Sequence, residues 1–108
     1  MHLSLVEISL GEAVTLADAA LLMEALAPEF HAVPGLRTKY FVLSPDGRVT
    51  GGAYVWERSD DADAFHDDTW RARVTQTYGT EPAVTRLDVP VVVDNERHVV
   101  VNLVTQPS

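Results

Sequence analysis

Apolar residues crowd the start of the chain at both parities: Leu3 and Leu5, then Val6, Ile8 and Leu10, before Gly11. This pattern predicts a first strand over residues 2–10, buried on both faces. The period then lengthens. Leu16, Ala19, Met23, Leu26 and Phe30 recur at helical spacing and form one expected buried stripe. Thr15 with Asp18 resembles a capping box in which Asp replaces Glu. Pro28 should end or kink that helix near Leu26 or Ala27, and Pro34-Gly35 completes the stop.

Residues 36–44 and 48–58 read as two strands around Ser44-Pro45-Asp46-Gly47, where Pro presets the turn and Gly tolerates positive φ. Ser59 is the expected cap of a second helical region that runs to Tyr78 and stops at Gly79. On one straight helix Phe65 and Val74 would lie on opposite sides. A break at Asp67-Asp68-Thr69, capped by Asp67 or Asp68, removes the conflict and leaves Trp70, Val74, Thr77 and Tyr78 as a stripe on the second piece. Residues 83–94 form a fourth strand with Thr85, Leu87, Val89, Val91 and Val93 on one face. Pro90 makes it an edge strand or one that bends out of its sheet. Residues 97–104 read as a short fifth strand, and Thr105–Ser108 as a loose tail.

The order is β-α-β followed by β-α-β, joined by a tight hairpin. The expected fold is therefore a single α+β domain over residues 1–104, ferredoxin-like, with an extra C-terminal strand. Helices would cover one face of its sheet. On the other face Leu36, Thr38, Tyr40 and Val42 join Val49, Gly51, Ala53 and Val55, a mostly apolar set that a second copy would cover.

Composition narrows the function. The chain has 108 residues, enough for one modest core, and is 46% hydrophobic and 22% charged, as a globular domain is. A formal charge of −8 and scattered basic residues argue against a nucleic-acid partner. With no cysteine, thiolate chemistry and disulfides are excluded. The N-terminus lacks the basic start and apolar run of a signal peptide, and no stretch reaches membrane-spanning length, so a cytoplasmic location without membrane contact is expected.

The hairpin register directs attention to one face. It sets Lys39 opposite Tyr54 and Arg37 opposite Trp56, with Phe41 and Gly52 beside them. Phe30, Phe65 and Trp70 are placed to close over this mixture of cations, rings and glycine, which would suit a flat aromatic ligand. The alternative is plain packing, with aromatic strand residues in the core and Lys39 extending along them to water. His31 is expected to complement the dipole of the first helix or to reach the pocket as a base. His66 sits among Asp63, Asp67 and Asp68, but a lone His in a helical acidic run lacks the companions of a metal site. Gly51-Gly52 lies within a strand and is no phosphate loop. It would let a ligand or another backbone come close.

Several motifs together resemble the YdhR-like monooxygenase family of the dimeric α/β-barrel group, which includes the antibiotic-biosynthesis monooxygenases. They are Val33-Pro34-Gly35-Leu36 with Lys39-Tyr40, Asp46-Gly47, Gly51-Gly52 with Tyr54, Trp56 and Ser59, Ala64-Phe65, Trp70-Arg71-Ala72-Arg73, Tyr78-Gly79 and Val89–Asn95. The resemblance implies a homodimer forming an α/β barrel. It also implies a cofactor-independent monooxygenase acting with O2 on a phenol, hydroquinone or anthrone. In that reading Lys39 and Tyr54 serve as base or donor and Arg37 as oxyanion partner. Trp56, Phe65 and Trp70 are stacking walls; Phe30, Phe41, His31 and Gly52 complete the substrate contacts. The alternatives are a non-catalytic ligand-binding or stress-related homodimer, and an isomerase or lyase on the same fold.

Overall fold

The computed structural model describes residues 1–105. The expected tail over 105–108 therefore lies outside the described residues except for Thr105. Strands β1 (His2–Ser9), β2 (Leu36–Leu43), β3 (Val49–Trp56) and β4 (Ala83–Asp88) form one sheet in the order β2-β3-β1-β4. Every neighbouring pair is antiparallel. Helices α1 (Leu16–Leu26), α2 (Ser59–Phe65) and α3 (Asp68–Tyr78) make the βαββαβ, ferredoxin-like α+β arrangement that the pattern predicts.

Local chemistry fixes the element ends. Thr15 Oγ1 accepts from the Asp18 amide at 3.1 Å and starts α1. Pro28 closes it into a 3-10 turn, Ala27–Phe30. Asp67 accepts from the Trp70 amide at 2.8 Å and starts α3 after the break, and Gly79, at φ 74°, ends it. Ser59 does not cap α2. It is the first helical residue, and Arg58 occupies the cap position without a side-chain bond.

Three expectations fail for tertiary reasons. Strand β1 buries only one face, that of His2, Ser4, Val6 and Ile8; Leu3 and Leu5 are half-exposed on the open side. Leu16, expected in the stripe of α1, is 75% exposed, whereas Ala19 is buried. The anticipated strand over 83–94 breaks at Val89-Pro90 into β4 and β5 (Val91–Asp94). The latter leaves the main sheet and pairs with β6 (Val99–Asn102) in a hairpin. Pro90 offers no ladder N–H, which favours the break there.

A bulge decides the hairpin's far end. Lys39 pairs with Tyr54, and Phe41 with Gly52, as expected. Between Thr38 and Leu36 the register shifts, so Leu36, not Arg37, stands opposite Trp56. The extra residue turns apolar Leu36 toward the core and leaves Arg37 exposed. Both placements of the sequence reading, Arg37 beside Trp56 and Leu36 on the open face with Tyr40 and Val42, are therefore reversed. Gly51, at φ 152°, runs so close to the Val6 carbonyl that a Cβ would collide with it.

Candidate functional site

The core lies between the sheet and the helices and divides into two halves. Where β1 begins and β3 ends it is filled. Trp56 and Ser4 are both 0% exposed. The Trp56 indole N–H donates to Ser4 Oγ at 2.9 Å, and Ser4 Oγ lies 2.9 Å from His66 Nε2. Arg86 Nε donates to His2 Nε2 at 2.7 Å, which leaves His2 Nδ1 to donate to Asp88 at 3.0 Å. Arg86 also meets Asp63 at 2.7 Å and the Ser59 carbonyl at 2.9 Å. His66 packs edge-on against Trp70, with ring centroids 4.4 Å apart. Burial, helped by Arg86, Arg71, Lys39 and His2, pushes His66 down to about 4. His66 thus turns inward as a core residue. Among the described residues no group of three or more His, Asp or Glu side chains is arranged to hold a metal ion.

Toward the end of β1 and the start of β3 the core opens into a cavity of about 540 Å³. Its floor is Val6, Ile8, Phe41, Gly51 and Tyr54 of the sheet, and its walls come from Met23 and Leu26 of α1, Phe30, Phe65, and Trp70 and Val74 of α3. The break at Asp67 aligns Trp70, Val74, Thr77 and Tyr78 along this one space, as the stripe on the second helical piece implies.

Lys39 lies in this apolar surrounding. Its Nζ stands 3.4 Å from the Phe30 ring centroid, 3.9 Å from that of Phe41 and 4.7 Å from that of Tyr54. Desolvation lowers its pKa to about 7, against the opposing pull of Glu29. Ring faces also favour the cationic form, so the amine is poised between its two states. Burial raises the Tyr54 phenol above its usual range, so that it stays a donor. Gly52 gives the pair room: a Cβ there would lie 3.0 Å from Lys39 Cε and 3.1 Å from Tyr54 Cε1. This is the close approach expected of the Gly51-Gly52 pair, divided between a backbone neighbour for one and side chains for the other.

The candidate residues separate accordingly. Lys39, Tyr54, Phe41, Phe65, Trp70 and Phe30 line the cavity together. Trp56 does not: it stacks on Tyr54 at 5.7 Å and is sealed in the filled half. Arg37 and His31 border a smaller hollow of about 370 Å³ that adjoins Lys39. The His31 amide bonds to the Pro28 carbonyl at 3.3 Å. Sequence reasoning missed Glu29 and Arg73, both of which line the main cavity. Arg73 follows Trp70 by three residues, so the helical period could have found it.

The chain matches no family model and no curated protein sequence. Solved structures share its fold. A monooxygenase from the gene ActVA-Orf6 of Streptomyces coelicolor, in complex with the ligand nanaomycin D, superposes with a TM-score of 0.58 at 17% identity, over 80% of this chain and 84% of that one. Rv0793 from Mycobacterium tuberculosis gives 0.57 at 17% identity, over 82% and 95%. The ferredoxin-like fold is theirs.

Proposed function

We propose that this protein is a cofactor-independent monooxygenase that oxidises a small electron-rich aromatic, of phenol, hydroquinone or anthrone type, with O2. The observation that carries the reading is the cavity of about 540 Å³, walled by aromatic and aliphatic side chains and furnished with one amine at Lys39. A fold shared with a monooxygenase solved with a bound ligand supports it; the finer YdhR-like kinship belongs to the same proposal.

The substrate supplies the electrons. Neutral Lys39 takes the acidic proton of the bound aromatic, and the resulting ammonium pairs with the phenolate or carbanion. Tyr54, held protonated, donates a hydrogen bond to its oxygen. The anion passes one electron to O2, and the radical pair combines into a peroxide. For an anthrone, loss of water then leaves a quinone, so that one O2 yields one new carbonyl and one water. Dry walls protect the radical pair from competing protons. Arg37 has no part in this scheme, because it lies on the bulge outside the main cavity.

The reading includes a homodimer. Its support is the open sheet face, where Tyr40, 59% exposed, and Val42 on β2 and Leu87 on β4 leave apolar surface at both edges. Light scattering at micromolar concentration should give twice the chain mass; a monomer mass would remove this part of the proposal. For the chemistry, the purified protein should consume O2 with an anthrone, with no added flavin and with EDTA present. Lys39→Met should lose at least about tenfold in turnover, or about 1.4 kcal/mol at the transition state. Saturable binding without O2 uptake would make the protein a non-catalytic binder instead.

A further inference from the structure

Lys39 is the only lysine in the chain; every other side chain among its eight Lys and Arg is an arginine. The distinction is chemical. A guanidinium keeps its proton and is no nucleophile, whereas an ε-amine in an apolar site can lose its proton and attack carbon. This single ε-amine is half-buried, not fully exposed as a lysine that serves solubility ordinarily is. It lies in the main cavity against Phe30, Phe41 and Tyr54. Among the described residues no carboxylate stands within ion-pairing distance of it. Burial also holds its pKa near 7, so much of it is free amine around neutrality.

We propose that Lys39 is a nucleophilic amine that condenses reversibly with the carbonyl carbon of a hydrophobic aldehyde or ketone held in this cavity. The Nζ lone pair forms a C–N bond while the carbonyl π pair moves to oxygen, which takes up a proton. The carbinolamine then loses that oxygen as water, and the nitrogen lone pair closes the C=N bond. The sum is amine plus carbonyl giving imine plus water, with nothing oxidised or reduced. The aromatic and aliphatic walls favour an apolar carbonyl compound over a sugar or keto acid, and they limit the water that would reverse the step. Condensation needs no O2, so it does not depend on the oxygenase reading, although the two reactions would compete for the same lone pair.

The test uses the native protein under argon near neutral pH, with benzaldehyde as probe and cyanoborohydride as the hydride donor that fixes any imine as a secondary amine. Intact mass and peptide mapping then locate the benzyl group. Lys39 should be labelled at least about tenfold faster than the Met1 α-amine, and at least about tenfold faster than Lys39 in guanidinium-unfolded protein. Toluene, which fits the cavity but has no carbonyl, should slow labelling at Lys39 and leave Met1 unaffected. Lys39→Arg, checked for folding by circular dichroism, should be labelled at Met1 alone. Equal labelling of the two amines would overturn the proposal, as would a Lys39 rate that ignores toluene or is unchanged by unfolding. Because no O2 is present, either result leaves the oxygenase test standing by itself.

Discussion

The two halves of the core meet at the stacked pair of Tyr54 and Trp56 yet treat polar groups in opposite ways. Where β1 begins and β3 ends, Ser4, Trp56, His2 and Arg86 all find hydrogen-bond partners, and the space is full. Toward the opposite end of the strands, Lys39 faces rings instead of a carboxylate, and the space is empty enough to admit a ligand. Desolvation is a cost on both sides; the first half offsets most of it with bonds, His66 Nδ1 being the buried side-chain atom there that lacks a partner among the described residues. The filled half thereby holds the scaffold, and the open half keeps its amine at a pKa near neutrality.

If this division is correct, truncation in the filled half should injure stability most. Trp56→Ala removes a fully buried indole and should cost about 3–5 kcal/mol, seen as a large fall in denaturant midpoint. Ser4→Ala deprives the Trp56 N–H and His66 Nε2 of their common partner, and a loss of about 1–3 kcal/mol is expected in urea unfolding. A loss no greater than that of an exposed Ser→Ala change would mean that water already satisfies the pair.

Titration should sharpen the contrast. His66 has a folded pKa depressed to about 4, so below the usual histidine value of about 6.5 the unfolded chain binds the extra proton. Stability should therefore fall as pH drops from about 6.5 toward 4, by about 1–2 kcal/mol after discounting for partial solvent access. His66→Phe should flatten that slope. Lys39 works in the same direction in a higher window. Its folded pKa of about 7 lies below the ordinary lysine value, so stability should rise as pH climbs from 7 toward 10. Lys39→Met should abolish this rise.

The smallest stability losses belong to the open half at neutral pH. Tyr54→Phe should cost no more than about 1 kcal/mol, and Lys39→Met should not lower stability, because it removes an amine that is costly to bury; in each, ligand affinity should fall at least about tenfold. Early melting with normal binding would show that these side chains are packing and that the cavity is not their purpose.

Much of this architecture was legible in the chain. The turn at Ser44–Gly47 fixes the pairing of Lys39 with Tyr54, because hairpin register depends on a few adjacent residues. The helix break at Asp67 followed from an angular conflict between Phe65 and Val74, which is also local. What sequence could not supply was decided by contacts between distant segments. Ser4 and His66 are 62 positions apart, and Arg86 and His2 are 84 apart, so no spacing rule joins them. The bulge that exchanges Leu36 for Arg37 exists because Leu36 gains burial against Trp56 and Arg37 keeps its water, a choice made only once the core is present. The openness of the cavity is likewise a property of the sheet and helices packed together: periodicity tells which side chains face inward, but only their assembled volumes decide whether the space between them is filled.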